Sequence, residues 1–338
     1  MRTIRCLAVL WLLQLVGCSV GDRTDFAFFT TDGAVVIVTT EKGTFRAVRI
    51  SGDTRQELFT TNVEMKDLLA VDRTNALFLF RSGRVLRLLG LGRDEKITLP
   101  TGTLPDKVQS GIVTQDKIYV STFDDQTEVA DILALDHTGA RRIRRFLGAK
   151  TRIILFFELT SDQILAADGK STFWLNTTSG ESGTLIERLH CGTNGGAWLE
   201  REDGSLVRAI FGDGSWHPAE EYGTGLSELA NGSPVLCSAT TFAIVVDDSA
   251  TQVFFAGLRM EVAIDPRDSL IDINLTDGPR LLAFRPESDR EESDRKVSDR
   301  DAATDATLYV YEEQADKSWS TRRIGVVGRY FLHRRFLP

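Results

Sequence analysis

The sequence predicts an all-β chain, a seven-bladed β-propeller of four-stranded blades. Three observations carry that prediction. A short polar turn leading into an apolar, largely β-branched run recurs seven times. Its Asp or Asn falls at positions 32, 75, 116, 162, 194, 231 and 277, at spacings of 32 to 46 residues, within the period of propeller blades. Further strand-like segments separated by Gly-containing links follow each turn, and none keeps a helical period. Six or eight blades are the nearest alternatives. Paired β-sandwich domains are the competing fold, which the near-constant period disfavours.

The elements follow in order. Thr30-Thr31-Asp32-Gly33 opens onto Val35-Val36-Ile37-Val38, and Arg73-Thr74-Asn75 onto Leu77-Phe78-Leu79-Phe80. Thr114-Gln115-Asp116 precedes Ile118-Tyr119-Val120, and Thr160-Ser161-Asp162 precedes Ile164-Leu165. Thr193-Asn194-Gly195, Asn231-Gly232-Ser233-Pro234 and Thr276-Asp277-Gly278 complete the set. Asp, Asn and Gly suit such turns because they bond to nearby backbone or accept a positive φ. An apolar piece lies before most turns, such as Phe26-Ala27-Phe28-Phe29 or Leu270-Ile271-Asp272-Ile273. A later strand follows, such as Val85-Leu86-Arg87-Leu88-Leu89, and then a more polar one, such as Lys96-Ile97-Thr98-Leu99. The blades are read as 22–61, 62–104, 105–150, 151–188, 189–222, 223–266 and 267–325. In the sixth, Phe242 to Val246 and Val253 to Phe255 fit either of two strand roles. One such unit cannot bury both faces of its sheet, so the units stack radially and close.

The propeller domain is read as residues 25–325. Within it, residues 286–305 form a charged, disordered insertion between two strands of the last blade, with Ser-Asp-Arg at 288–290, 293–295 and 298–300. Residues 326–338 are a C-terminal tail or a closing strand.

The N-terminus is of another kind. Met1 to Arg5 is basic, and Cys6 to Val16 is apolar apart from Gln14. That run is too short to span a bilayer and reads as a secretory signal. Its end, Leu15-Val16-Gly17-Cys18, resembles the lipobox of bacterial lipoproteins. The resemblance implies a signal peptide at 1–17, lipidation of Cys18, and a short tether at 18–24. Ser19 in place of Asp implies the outer membrane of a diderm envelope. An ordinary cleaved signal with an incidental Cys18 is the other reading.

Loss of residues 1–17, with Arg2 and Arg5, takes the formal charge from −8 to −10. So acidic a chain lacks the basic footprint of a nucleic-acid binder. Its mature part is expected to carry no transmembrane helix, so contact with the membrane falls to the lipid, and more than one acyl chain is needed for a stable anchor. Cys191 and Cys237 are the thiols left in an oxidising compartment, a candidate disulfide. Two buried small hydrophobes is the preferred reading.

Ile132-Leu133-Ala134-Leu135-Asp136-His137-Thr138-Gly139 resembles the repeat of quinoprotein-type, WD40-like propellers, with a fainter echo at Phe173 to Gly180. The Trp expected in the following strand is absent from both. The resemblance implies the fold, and the family includes lipoproteins that act as partners in outer-membrane assembly. It carries over no functional residue.

Few residues point to chemistry. His137, His190, His217 and His333 show no metal-ligand spacing, and His190 with Cys191 are strand neighbours that point to opposite faces. Asp124-Asp125-Gln126-Thr127-Glu128 clusters carboxylates, but on no known cation-loop pattern. Asp213-Gly214-Ser215-Trp216 is a partial Asp-box turn. No phosphate loop or nucleophile elbow is present. Neither a catalytic residue, a cofactor nor a metal is assigned. The expected function is a lipid-anchored, non-catalytic envelope scaffold that binds a protein or a polysaccharide through a loop face. The alternative is an envelope hydrolase or lyase with its site at the central funnel.

Overall fold

The computed structural model describes residues 23–330, except 42, 100–104, 115, 137–138, 169, 186–187, 194–195, 202–204, 223–234, 238–240, 248–249, 256–257, 266, 275–277 and 287–304. The described residues form 28 strands in seven antiparallel four-stranded units. The first holds β1 (Arg23–Phe29), β2 (Val35–Glu41), β3 (Thr44–Ser51) and β4 (Thr54–Thr61). The second holds β5 (Leu68–Asp72), β6 (Leu77–Ser82), β7 (Val85–Gly90) and β8 (Arg93–Ile97). The third holds β9 (Val108–Val113), β10 (Ile118–Asp124), β11 (Val129–Asp136) and β12 (Gly139–Leu147). The fourth holds β13 (Ile154–Thr160), β14 (Gln163–Ala167), β15 (Thr172–Asn176) and β16 (Ser182–Leu185). In the fifth are β17 (Arg188–Thr193), β18 (Gly196–Glu200), β19 (Leu206–Gly212) and β20 (Ser215–Tyr222). In the sixth are β21 (Val235–Cys237), β22 (Thr241–Asp247), β23 (Ala250–Phe255) and β24 (Leu258–Ala263). The seventh holds β25 (Ser269–Asn274), β26 (Arg280–Pro286), β27 (Asp305–Glu313) and β28 (Trp319–Tyr330).

The seven units make six hydrogen-bonded sheets, not seven. The end of β28 pairs in parallel with β1, Arg23 with Arg329 and Thr24 with Tyr330, which joins the last and first units into one eight-stranded sheet. Counted by sheets, the propeller therefore has six blades, the alternative to the seven expected. The reason is a long-range pairing between chain segments some 300 residues apart, which local turn chemistry cannot signal. Of the seven signature positions, Asp32, Asn75, Asp116 and Asp162 lie between the first and second strands of their units, and Asn194, Asn231 and Asp277 lie outside the described residues.

First strands of successive units lie side by side around the ring: β5 by β9, β9 by β13, β13 by β17, β17 by β21, β21 by β25, and β25 by β1. Side-chain alternation then decides which neighbour each residue meets. Phe26 and Phe28 pack with Phe78 and Phe80 of the second unit, whereas Ala27 and Phe29 pack with Ile271 and Leu282 of the seventh. Leu77 and Leu79 turn to Ile118 and Val120 of the third unit, and Tyr119 turns to Ile164 of the fourth. This is why the inner strands read as unbroken apolar runs: both faces are buried. One contact needs glycine, since a Cβ on Gly192 of β17 would overlap the Phe157 ring of β13.

A polar tie recurs at the other end of the first strands. The residue entering the first strand bonds to the end of the second: Asp67 to Arg81 at 3.5 Å, Lys107 to Asp124 at 3.3 Å, Thr151 to the Asp168 carbonyl, and Asp268 to Arg285 at 2.5 Å. The Asp268 side chain is fully buried. Arg285 grips it through Nε and Nη2, and the Tyr311 hydroxyl donates to it at 2.5 Å. Burial, aided by the bond to Asp268 and opposed by the Asp265 amide, pushes the Tyr311 phenol from 10.0 up to about 12. A pKa raised by folding contributes stability that is intact below pH 10 and is lost as pH rises through 12. The urea midpoint is expected to fall across that window, and to fall less steeply in Tyr311→Phe. Equal slopes in the two proteins would contradict this.

Candidate functional site

The hairpins joining first to second strands in the second, third and fourth units converge at one mouth of the ring. In the second, Asp72 ends β5 and is buried. Its Oδ1 accepts the Thr74 amide at 2.8 Å and its Oδ2 the Asn75 side-chain amide at 2.7 Å, a turn that side chain itself builds. In the third, Thr114 Oγ1 accepts the Lys117 amide at 3.1 Å, and Asp116 stands exposed. In the fourth, Thr160 Oγ1 donates to Asp162 at 2.8 Å, with Ser161 exposed beside it. Between them lies a cleft of about 460 Å³. Glu158 and Leu159 of β13 complete its wall. The same strand exposes Ile154 and Phe156 farther along.

Lys117 bridges two units here. Its Nζ donates to Glu158 Oε1 at 2.9 Å and to the Ser161 carbonyl. Partial burial works against its charge, but the bond to Glu158 and the field of Tyr119, Glu158 and Asp162 outweigh it, so its pKa lies above the ordinary lysine value. Lys117 is thus a fixed cation near neutral pH rather than a base or an amine nucleophile. Three carboxylates, one ammonium, one amide and four hydroxyls line the cleft. Together they can donate and accept hydrogen bonds in many directions.

The rim continues into the first and seventh units. Thr31 Oγ1 donates to the Thr74 carbonyl at 3.4 Å. Asp32 is bonded by Thr30 and paired with Arg49, and the Thr30 hydroxyl leads in holding its pKa below the usual range. Asp272 of β25, with a side chain 3% exposed, accepts the Phe29 amide at 2.6 Å and pairs with Arg73. Asn274 Nδ2 donates to the Thr30 carbonyl at 3.0 Å, and Arg280 to the Gly33 carbonyl at 3.2 Å. Gly33 has φ of +76° in that tight turn, where glycine is favoured.

The residues singled out from sequence fall elsewhere. Cys18, the signal, residues 18–22 of the tether, His137, His333 and residues 287–304 of the insertion lie outside the described residues, whereas Arg23 and Thr24, read as the end of the tether, begin β1 and pair with β28. The insertion's flanks are β26, ending at Pro286, and β27, starting at Asp305. Cys191 lies in β17 and Cys237 in β21, neighbouring inner strands, but their side chains and that of His190 are outside the description. His217 lies in β20, not in a loop, and its Nε2 sits 2.9 Å from the Gly212 carbonyl across the hairpin. The 124–128 carboxylates pair with lysines, Asp124 and Asp125 with Lys107 at 3.3 Å and Glu128 with Lys150 at 2.6 Å. Such exposed pairs contribute little stability. Sequence reasoning missed Lys117, Glu158 and Asp272, for which the local signals were the place of Lys117 at the end of a signature turn and, for Glu158 and Asp272, a carboxylate inside an apolar run. Among the described residues, no group of three or more His, Cys, Asp or Glu is placed to hold a metal ion. None of the described helices is long and apolar enough to cross a membrane.

Several solved structures are similar to the chain at low identity. The WD40 domain of SCAP from fission yeast is 8% identical, with a TM-score of 0.49 over 91% of this chain and 84% of that one. BamB from Moraxella catarrhalis is 11% identical, with a TM-score of 0.37 over 77% and 81%. A chain of the S. cerevisiae Dbp5–Nup159–Gle1 assembly is 13% identical, with a TM-score of 0.32 over 77% of this chain, which spans 61% of that one. No protein-family model and no curated protein matches the chain. Likeness at this level speaks to fold alone.

Proposed function

We propose that the chain is a lipid-anchored β-propeller of the cell envelope, tethered to the outer membrane through Cys18, and acts as a non-catalytic binding scaffold. Its partner is an envelope protein or polysaccharide that docks on the face where the first and second strands meet. The observation that carries the non-catalytic reading is the state of the ionisable groups in the cleft. Asp72 is bound on both oxygens within its own turn, and Glu158 and Lys117 hold each other across a unit boundary. These groups join units together, and the surface left to a ligand is hydroxyls, the Asn75 amide and the exposed Asp116. The lipobox resemblance at Leu15 to Cys18 supports the anchor.

Two measurements test this reading. Cys18→Ala is expected to move the protein out of the membrane fraction or to trap it as an uncut precursor, and unchanged processing and fractionation would sink the anchor. Cross-linking in intact cells is expected to recover a partner on the wild-type chain. Turnover of an envelope glycan or lactone that disappears in Glu158→Gln would overturn the non-catalytic reading.

A further inference from the structure

The turn that marks each repeat sets a hydroxyl beside a carboxylate or amide at the same corner of successive units: Thr30 with Asp32, Thr74 with Asn75, Thr114 with Asp116, and Thr160 with Asp162. Turn chemistry alone asks for the Asp or Asn. The threonine hydroxyls also bond within these turns, Thr30 to Asp32, Thr114 to the Lys117 amide and Thr160 to Asp162, but local turn chemistry does not account for the cleft that three of the corners enclose. The corners are joined edge to edge, Thr31 to Thr74 and Lys117 to Ser161. The result is a curved rim of hydroxyls, amide and carboxylates with a cleft of about 460 Å³ in it, within the size range of small-ligand sites.

We propose that this cleft, between the second, third and fourth units, binds a neutral glycan. The proposal rests on the binding-scaffold reading and names its ligand class. Sugar hydroxyls donate and accept at once, and the lining offers both: the exposed Asp116 carboxylate as acceptor, the second N–H of the Asn75 amide as donor, and the hydroxyls of Thr74, Thr114, Thr160 and Ser161 as either. The methyl groups of Thr74, Thr114 and Thr160 give the C–H faces of a sugar ring something apolar to rest on. An anion is disfavoured by three carboxylates against one ammonium. A divalent cation is disfavoured because Lys117 already occupies Glu158 and both oxygens of Asp72 are bonded. A drug-like apolar ligand would meet no large exposed apolar side chain, since Leu159, the aliphatic residue of the lining, is fully buried. A chain of repeating sugars also suits a site whose walls repeat from unit to unit.

Calorimetric titration of the purified chain with a panel of neutral tetrasaccharides, including maltotetraose and chitotetraose, tests the proposal. Saturable binding is expected for at least one. Asp116→Ala and Ser161→Ala, both at exposed positions, are expected to leave the urea midpoint unchanged and to raise Kd about tenfold, the effect of losing one or two hydrogen bonds. Raising NaCl to about 1 M, where the screening length is about 3 Å, is expected to change Kd less than about twofold. No saturable binding across the panel overturns the proposal, as does sugar binding that neither variant weakens. Tight binding of an oligo-arginine peptide that salt abolishes would also overturn it, in favour of a cationic protein partner. Recovery of an envelope protein by cross-linking, with no sugar bound, leaves the scaffold reading standing and removes only the glycan.

Discussion

Asp272→Ala is expected to lower stability by about 3 kcal/mol, the lower end of the range for removing one partner of a buried ion pair. The carboxylate is 3% exposed and reaches two other units at once, through the Phe29 amide of the first and Arg73 of the second. Its loss leaves a buried backbone donor without its acceptor and a guanidinium without its counter-charge. Arg73 is 21% exposed and recovers part of its hydration, which sets the estimate at the low end. Asp272→Asn keeps an acceptor of the same shape and is expected to cost clearly less. Urea unfolding of both variants gives the comparison. Equal losses in the two would show that the charge carries the whole effect and that the retained shape recovers nothing.

Phe78→Ala is expected to cost about 3–5 kcal/mol, the range for truncating a fully buried aromatic. The ring is 0% exposed and lies 5.0 Å from Phe59, 6.2 Å from Phe28 and 6.4 Å from Phe26. These partners belong to the first unit and Phe78 to the second, so the cavity opens at a boundary between units. Phe78→Leu, which keeps most of the volume, is expected to recover most of the loss. The urea midpoint decides, and a Phe78→Ala midpoint within error of wild type would mean the boundary repacks.

What was legible in the sequence is what short-range chemistry controls. Asp32 and Asp162 announce turns because the side chain bonds to groups within a few residues. Phe26 to Phe29 announces an inner strand because both faces must be apolar. The cleft was legible only in fragments. Thr114, Asp116, Thr160 and Ser161 were visible as turns, but Glu158 meets Lys117 across 41 residues and Asp272 meets Phe29 across 243. Such pairs exist only once the ring has set the units side by side. The merging of β28 with β1 is of the same kind, a register between distant segments that no local pattern encodes.

That parallel junction bears on how the chain could be rewired. Because β28 stops at Tyr330 beside Thr24, the point where the first strand starts and the point where the last one stops are about one strand spacing apart, roughly 5 Å. A linker of a few residues would bridge them without crossing the ring, and new termini could be opened at another exposed hairpin, as circular permutation requires. The order in which the units are written along the gene is then one of several that could close the same ring. A second domain fused at a different unit boundary would meet the same face at a different angle.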